Sequence, residues 1–322
     1  MSIEVSPMYL RVVRSEEVAR GTRRFELRDP DGAPLPRFTA GAHIRVRTPS
    51  GAYRQYSLAN DPNEQDRYEI AVKREADGRG GSRSMVDELR EGDRIEVHAP
   101  ENLFALDDRA RSFVLIAGGI GITPMRSMAL QLLAEGTRSF KLYYLTRDPQ
   151  VTAFLDEMRS TELAPHVVIH HDGGDPQNAY DLWPVLEKPG SLTGRHVYCC
   201  GPGALMDAVR DMTGHWPSSA VHFESFGGDT KPHADDLPFE VELASDGRRV
   251  AVPVGVSILD ALRREGVHVP SSCESGTCGS CKTRLLAGEA DHRDLVLLEE
   301  EKADHIMVCV SRARTPKLVV DL

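Results

Sequence analysis

The sequence has no excess of positive charge and no long apolar run, and each absence excludes a class of function. Its 322 residues include 39 lysines and arginines and 49 aspartates and glutamates, which gives a net charge of −10. Because no basic field would attract phosphate backbones, we expect no binding to nucleic acid. No uncharged apolar stretch approaches the ~20 residues that a membrane helix needs, so we also expect no membrane insertion.

The sequence also lacks the features of an exported protein. Residues 1–5 have neither the basic start nor the apolar run of a secretory signal, so we expect the chain in the cytoplasm. In that compartment the six cysteines are expected to be ligands or buried thiols rather than disulfides. The length and the charged content of 27% are typical of a globular protein with two or three domains.

The first 105 residues predict an antiparallel β-barrel. Short segments alternate or cluster apolar residues, and turn signals such as Asp29-Pro30-Asp31-Gly32 separate them. These segments are residues 9–13, 24–27, 43–47 and 68–72. A strand-and-turn pattern of this kind favours a barrel, and we assign the first domain to residues 1–105.

Residues 106–228 predict an α/β domain with a parallel sheet. Residues 112–117 are apolar without alternation, as is typical of a strand buried on both faces. The helix after this strand is expected to have Thr123 as its N-cap and to end at Gly136. Further apolar segments alternate with helical ones, at residues 140–145, 167–170 and 196–200. Ligands are therefore expected at the carboxyl ends of these strands.

Two small-residue turns follow two of the predicted parallel strands. They contain Gly118, Gly119, Gly121 and Thr123 after the first strand, and Cys200, Gly201 and Pro202 after a later one. Glycines let the backbone approach a pyrophosphate, and the following helix N-terminus supplies N–H donors. Neither turn is a Rossmann fingerprint, and each alone is equally compatible with a structural turn. At adjacent strand ends, however, they would bracket one crevice.

A polar and glycine-rich set of residues occurs in the first domain. It consists of Arg54, Gln55, Tyr56 and Ser57, then Val72 and Lys73 at the end of a later strand, then Gly80, Gly81 and Ser82. The arginine can pair with a phosphate, and the glycines and serine can offer further donors. Taken alone, such residues more often form a solvated edge strand and a hairpin.

The strongest motif is a cysteine cluster in the third part of the chain. Residues 229–236 are polar and turn-forming and predict a linker, so the third domain spans 237–322. Cysteines occur there as Cys-x4-Cys-x2-Cys with one distant partner, at positions Cys273, Cys278, Cys281 and Cys309. This is the spacing of plant-type [2Fe–2S] ferredoxins. The alternatives are buried thiols or structural zinc, which usually takes two short ligand pairs.

Together and in this order, the motifs resemble the ferredoxin–NADP reductase superfamily and, more narrowly, the phthalate dioxygenase reductase family. Besides the residues above, the resemblance includes Gly78-Arg79, Tyr198-Cys199-Cys200 and His222-Phe223-Glu224-Ser225-Phe226. It implies FMN in the barrel, NADH in the middle domain, and [2Fe–2S] in an α+β ferredoxin domain of the β-grasp type. The implied reaction passes a hydride from NADH to FMN, then single electrons through the cluster to a Rieske-type aromatic-ring oxygenase of the phthalate kind.

The resemblance also implies individual roles. The flavin would be held by the residues from Arg54 to Ser57, with Val72, Lys73, Gly80, Gly81 and Ser82. The turn from Gly118 to Thr123 would receive the dinucleotide, Cys200 would lie near the nicotinamide, and Phe226 would cover the flavin ring. We expect a monomer. Two alternatives remain: the same cofactors serving a demethylase or another oxygenase, or a non-enzymatic iron–sulfur carrier or sensor.

Overall fold

The described part of the chain comprises residues 7–76, 80–226, 233, 235–271, 274, 276, 279–294 and 296–322 of a computed structural model. The chain divides into two units, Met1–Glu224 and Ser225–Leu322. Among the described residues, no helix has both the length and the apolar character needed to cross a bilayer.

An antiparallel sheet forms the N-terminal half of the first unit. Its strands are β1 (Met8–Ala19), β2 (Thr22–Arg28), β3 (His43–Arg47), β4 (Tyr53–Ser57), β5 (Tyr68–Lys73) and β6 (Arg94–Val97). They pair in the order β4-β3-β6-β1-β2-β5, and helix α1 (Gly81–Glu88) follows β5. Alternating residues are buried along strands such as β1, and Leu10 on β1, Phe25 on β2 and Ile44 on β3 share one core. This is the pattern of a sheet with one covered face. The predicted antiparallel barrel is confirmed.

A parallel sheet forms the second half of this unit. Its strands are β7 (Ser112–Gly118), β8 (Ser139–Thr146), β9 (Val167–His171), β10 (Arg195–Cys200) and β11 (Val221–Glu224). Between them lie the helices α2 (Ile122–Glu135), α3 (Leu155–Met158), α4 (Trp183–Leu186) and α5 (Gly203–Thr213). The strand order is β11-β10-β7-β8-β9, so the order reverses between β7 and β10. Ligands of open α/β sheets bind at such a switch point.

Helix α2 begins earlier than the sequence predicts. Its N-cap is Gly121 rather than Thr123, because a 3-10 turn over Gly119–Gly121 leads directly into the helix. Thr123 therefore lies in the first turn, where its hydroxyl donates a hydrogen bond to the carbonyl of Ile120 at 3.1 Å. The predicted end is confirmed, since Gly136 caps the helix with a φ of 62°, a conformation that favours glycine.

The second unit is a mixed sheet with one helix packed on it in the described region. Its elements are β12 (Phe239–Leu243), β13 (Arg249–Val252), α6 (Ile258–Arg264), β14 (Lys282–Ala287), β15 (Ala290–Asp291), β16 (His305–Met307), β17 (Arg312–Ala313) and β18 (Lys317–Val320). The main sheet has the order β13-β12-β18-β14-β16, with β12 parallel to β18. Ser257 caps α6 by accepting a hydrogen bond from the Asp260 N–H at 3.0 Å. The predicted α+β fold is confirmed.

Candidate functional site

The ends of β4 and β11 meet within the first unit. Ser57 is the last residue of β4, and its hydroxyl donates a hydrogen bond to Glu224 Oε2, at the end of β11, over 3.1 Å. Burial raises the pKa of Glu224 to about 8, against the opposing effect of the bond from Ser57. The carboxyl therefore keeps its proton to a higher pH than an exposed glutamate does.

Cys200 lies beside this pair on the neighbouring strand. It is in register with Glu224 on one side and with Ala117 on the other, and it is fully buried. Burial raises the pKa of its thiol well above the ordinary value, and the nearby Glu224 raises it further. The side chain is therefore a neutral thiol, which is neither a nucleophile nor a metal ligand in that form.

The two small-residue turns touch at the switch point of the parallel sheet. A β-carbon on Gly121 would lie 2.1 Å from the carbonyl oxygen of Cys200, and one on Gly118 would lie 2.6 Å from Pro202 Cδ. A β-carbon on Gly201 would lie 2.9 Å from the Gly118 Cα. The structure thus brings both predicted turns to one crevice, and the glycines are what allow their backbones to meet.

In the barrel, Arg54 lies against the start of helix α1. A β-carbon on Gly81 would come within 2.9 Å of Arg54 Nε, and Gly80 is the N-cap of α1 with a φ of 86°. One guanidinium nitrogen of Arg54 donates to the carbonyl of Tyr53 at 2.7 Å. An arginine beside the N–H groups at a helix N-terminus forms a site suited to a phosphate. The donors therefore fit the ribityl phosphate of a flavin.

Tyr56 provides a second sign of a ligand in the barrel. Its hydroxyl is buried and has no hydrogen-bond partner among the described residues, and burial raises its pKa. A buried polar atom left without a partner costs roughly 1–3 kcal/mol, so such atoms are usually satisfied by a ligand or a water. This hydroxyl fits a polar atom of a bound flavin.

The other residues predicted for the flavin differ in burial and in their partners. Val72 is buried in the barrel core, whereas Lys73 is exposed and pairs with Glu75 at 2.9 Å. The Ser82 hydroxyl accepts a hydrogen bond from the Glu75 N–H at 3.1 Å. Gln55 is partly buried on β4, and Gly78 lies outside the described residues.

Two of the predicted cluster ligands are described, and both are buried. Cys281 precedes β14 and Cys309 follows β16, whereas Cys273 and Cys278 lie outside the described residues. A β-carbon on Gly276 would lie 2.7 Å from Val310 Cγ2, so Gly276 packs on the residue next to Cys309. Because Gly276 lies between Cys273 and Cys278 in the sequence, this contact fits a cluster with three ligands from that segment and one from Cys309.

Arg263 anchors the cysteine loop, and sequence reasoning missed it. Its Nη2 donates to Ser271 Oγ at 2.5 Å and to Glu274 Oε1 at 2.6 Å. Glu274 has a φ of 51°, a left-handed conformation that its ion pair with Arg263 helps to hold. An arginine in the last turn of α6 carries no recognisable sequence signal for this role. Glu224 was named in the motif at residues 222–226 but was given no role, although its place at the end of a parallel strand is a detectable signal.

Phe226 was predicted to cover the flavin. It belongs to the second unit, and 45% of its surface is exposed there. Its position over a flavin remains a prediction.

Three protein families match successive parts of the chain. The oxidoreductase FAD-binding domain matches residues 9–105, the oxidoreductase NAD-binding domain matches 115–211, and the 2Fe-2S iron-sulfur cluster binding domain matches 241–314. These three matches fall, in turn, on the antiparallel sheet, the parallel sheet and the mixed sheet described above. The chain therefore contains domains for a flavin, a nicotinamide nucleotide and a [2Fe–2S] cluster.

Similar proteins align over nearly the whole chain. Phthalate dioxygenase reductase of Burkholderia cepacia is 59% identical, covering 97% of this chain and 97% of that protein. The phthalate 4,5-dioxygenase oxygenase reductase subunit of Pseudomonas putida is 56% identical, covering 97% and 96%. A solved structure of phthalate dioxygenase reductase superposes with a TM-score of 0.88 and 58% identity, covering 98% of each chain. The chain belongs to the phthalate dioxygenase reductase family of iron–sulfur flavoprotein oxidoreductases.

Proposed function

We propose that this chain delivers electrons from NADH to a Rieske-type oxygenase acting on phthalate or a closely related aromatic carboxylate. The observation that carries the proposal is the meeting of two sites in the first unit. The nucleotide crevice at Gly118, Gly121 and Gly201 abuts Cys200, which is in register with Glu224. Glu224 is hydrogen-bonded to Ser57, the last residue of the flavin motif. The phthalate-linked names of two relatives support this partner.

The barrel residues bind and orient the flavin. Arg54 and the first N–H groups of α1 hold its phosphate, and the Tyr56 hydroxyl satisfies a polar atom of the bound group. We propose FMN rather than FAD as this flavin, as the resemblance implies. Gln55, Ser57, Val72, Lys73, Gly80, Gly81 and Ser82 complete this proposed pocket.

The crevice residues bind and orient the nicotinamide nucleotide. The backbone of Gly118, Gly119 and Gly121 approaches the pyrophosphate. Gly118 and Gly121 must be glycine because a larger residue at either position would collide with the opposite turn. Thr123, Gly201 and Pro202 close the crevice, and Phe226 is proposed to lie over the flavin ring.

Ser57, Cys200 and Glu224 form the enclosed part of the site between the two ligands. Ser57 and Cys200 are buried and Glu224 is partly buried, which favours the protonated forms of Cys200 and Glu224. The hydrogen bond from Ser57 to Glu224 holds a proton between their oxygen atoms. When bound, the flavin converts a two-electron hydride into single electrons, which a [2Fe–2S] cluster can accept. The protein supplies orientation, because a held geometry replaces a bimolecular encounter.

The cluster is proposed to be held by Cys273, Cys278, Cys281 and Cys309. Most residues between the first three of these cysteines are small, which suits a cluster, and Arg263 holds Ser271 and Glu274. We propose domain boundaries at 1–105, 106–228 and 237–322, with a linker at 229–236, and a monomer as the working form.

Stopped-flow spectroscopy of the cofactor-loaded protein tests the proposal. On mixing with NADH, we expect flavin absorbance to fall before the visible bands of the cluster. The matched variant Cys309→Ser should retain the first phase and lose the second. Reduction of the cluster in the absence of flavin would contradict the order. Electron delivery is then compared between a phthalate oxygenase and a demethylase-type oxygenase, and faster delivery to the demethylase type would contradict the proposed partner.

A further inference from the structure

Two consecutive residues of α2 fasten this helix to the barrel. Arg126 Nη1 donates to the carbonyl of Ala59 at 2.5 Å, and Ser127 Oγ donates to the carbonyl of Asn60 at 2.8 Å. Both donors are buried, with exposures of 6% and 0%. The accepting carbonyls are themselves consecutive. The result is a clamp between α2 and the segment that follows β4, which we call the α2 clamp.

The α2 clamp joins one element from each half of the proposed hydride site. Arg126 is four residues after Ile122, where α2 leaves the nucleotide crevice, which is about one helical turn. Ala59 is two residues after Ser57, the end of the flavin motif. The clamp therefore connects the helix behind the nicotinamide site to the strand that carries the flavin site over a very short path.

Charge fixes the guanidinium of Arg126 in this position. Its Nη1 lies 2.8 Å from Glu69 Oε1 on β5, and its Nε lies 2.7 Å from Glu157 Oε1 on α3. The group also lies over the ring of Phe154, at 4.6 Å from the centroid. Burial opposes the charge, but the two carboxylates outweigh it and raise the pKa of Arg126. One planar cation thus joins the barrel, α2 and α3.

The barrel side of the α2 clamp is held in place independently. The Ala59 N–H donates to the carbonyl of Glu69 at 2.8 Å. The Asn60 side chain is fully buried and accepts a hydrogen bond from the Glu69 N–H at 3.0 Å. The carbonyls of Ala59 and Asn60 are therefore fixed to β5. If Arg126 or Ser127 moved, the segment after β4 would not follow, so α2 and the nucleotide crevice would shift relative to the barrel.

We infer that Arg126, with Ser127, is a positioning residue that sets the separation between the nicotinamide crevice and the flavin barrel for hydride transfer. The inference rests on the proposed function. Hydride transfer depends steeply on the distance between the reacting groups, and a displacement of about 1 Å can reduce a rate about 100-fold. Apolar contacts of Phe104 and Met128 in the same core can hold the two halves together, but they lack the directionality of hydrogen bonds to consecutive carbonyls.

The test uses the cofactor-loaded full chain and the variants Arg126→Lys, Ser127→Ala and their combination. Lysine keeps the positive charge but cannot reach three acceptors in one plane. We expect flavin reduction by NADH to slow about 3- to 10-fold in each single variant and 30-fold or more in the double variant. The dissociation constant for NADH should change less than about twofold. The charge-transfer absorbance between reduced flavin and NAD⁺, which reports ring stacking, should weaken in parallel.

Arg138→Lys is the matched control. Arg138 also pairs with a glutamate, Glu135, and lies over the ring of Phe113, but its described contacts include no barrel strand. It should keep the wild-type rate and absorbance. A lower melting temperature in Arg126→Lys and Ser127→Ala, with unchanged reduction rate and charge-transfer absorbance, would overturn the inference. If Arg126→Lys fails to fold, Ser127→Ala alone decides. Failure of wild-type flavin to accept a hydride would instead overturn the proposed function.

Discussion

Replacing Glu224 by glutamine removes an ionisable carboxyl whose raised pKa makes the stability of the protein depend on pH. Burial raises the pKa of this carboxyl from 4.5 to about 8 in the folded chain. The folded state therefore binds the proton more tightly than the unfolded state. Between pH 4.5 and 8 the free energy of unfolding falls as the pH rises, and outside that window this group adds no further dependence.

The size of the effect follows from the same values. One pKa unit corresponds to about 1.4 kcal/mol, so the full shift sets an upper bound of about 5 kcal/mol. Because the residue is only partly buried, we expect about 2–3 kcal/mol. Glutamine has a similar shape, does not ionise, and can still accept the hydrogen bond from Ser57. Glu224→Gln should therefore be about 2–3 kcal/mol more stable than the wild type at pH 8.5, and the two proteins should have almost the same free energy of unfolding at pH 4.5.

Thermal unfolding of the flavin-loaded protein at pH 4.5, 6.5 and 8.5 measures the difference. For a unit of more than 200 residues, 2–3 kcal/mol corresponds to roughly 4–12 °C in melting temperature. Glu135→Gln is the control of opposite sign, because Arg138 lowers the pKa of Glu135 and glutamine there should reduce stability at neutral pH. A difference between wild type and Glu224→Gln that stays constant across the three pH values would refute the reasoning.

Three further predictions concern the flavin, the cluster and acid stability. Arg54→Gln should weaken flavin binding about 10- to 100-fold, because a charged hydrogen bond contributes roughly 1.5–3 kcal/mol, and fluorescence titration with FMN measures this. Cys281→Ser should lose the visible bands and the iron content of the cluster while α6 and its sheet still fold, as circular dichroism would show; retained iron would argue against the ligand set. His222 stacks on Tyr198 at 4.2 Å, and burial lowers its pKa from 6.5 to about 4. Its contribution to stability should be lost as the pH falls from 6.5 to 4, so the melting temperatures of wild type and His222→Gln should converge over that range.

Local patterns were sufficient for the architecture and for the meeting of the two small-residue turns. The apolar run at residues 112–117 predicted a strand buried on both faces, and the parallel sheet has that strand at its centre. The turns at Gly118 and Gly201 were expected to bracket one crevice, and their backbones touch. These features depend on residues close together in sequence or on strand order, both of which leave a recognisable pattern.

Features that depend on tertiary burial were not predictable in the same way. Arg126 looks like a surface residue in the sequence of α2, and only the folded chain shows it enclosed between Glu69 and Glu157. The raised pKa of Glu224 likewise arises from atoms contributed by distant segments. The prediction that Thr123 is the N-cap was wrong for a local reason. A 3-10 turn precedes α2 directly, so the helix begins at Ile122.

The contact between Gly121 and Cys200 restricts how this reductase can be re-engineered. A methyl group at position 121 would be forced to 2.1 Å from a main-chain oxygen, which no rotamer change can relieve. Libraries that aim to change the preferred nicotinamide coenzyme should therefore leave this position fixed. Gly119 differs, because a side chain there would meet no described atom within 4 Å and its φ of 54° is tolerated by asparagine. Diversity introduced there has a better chance of yielding folded variants.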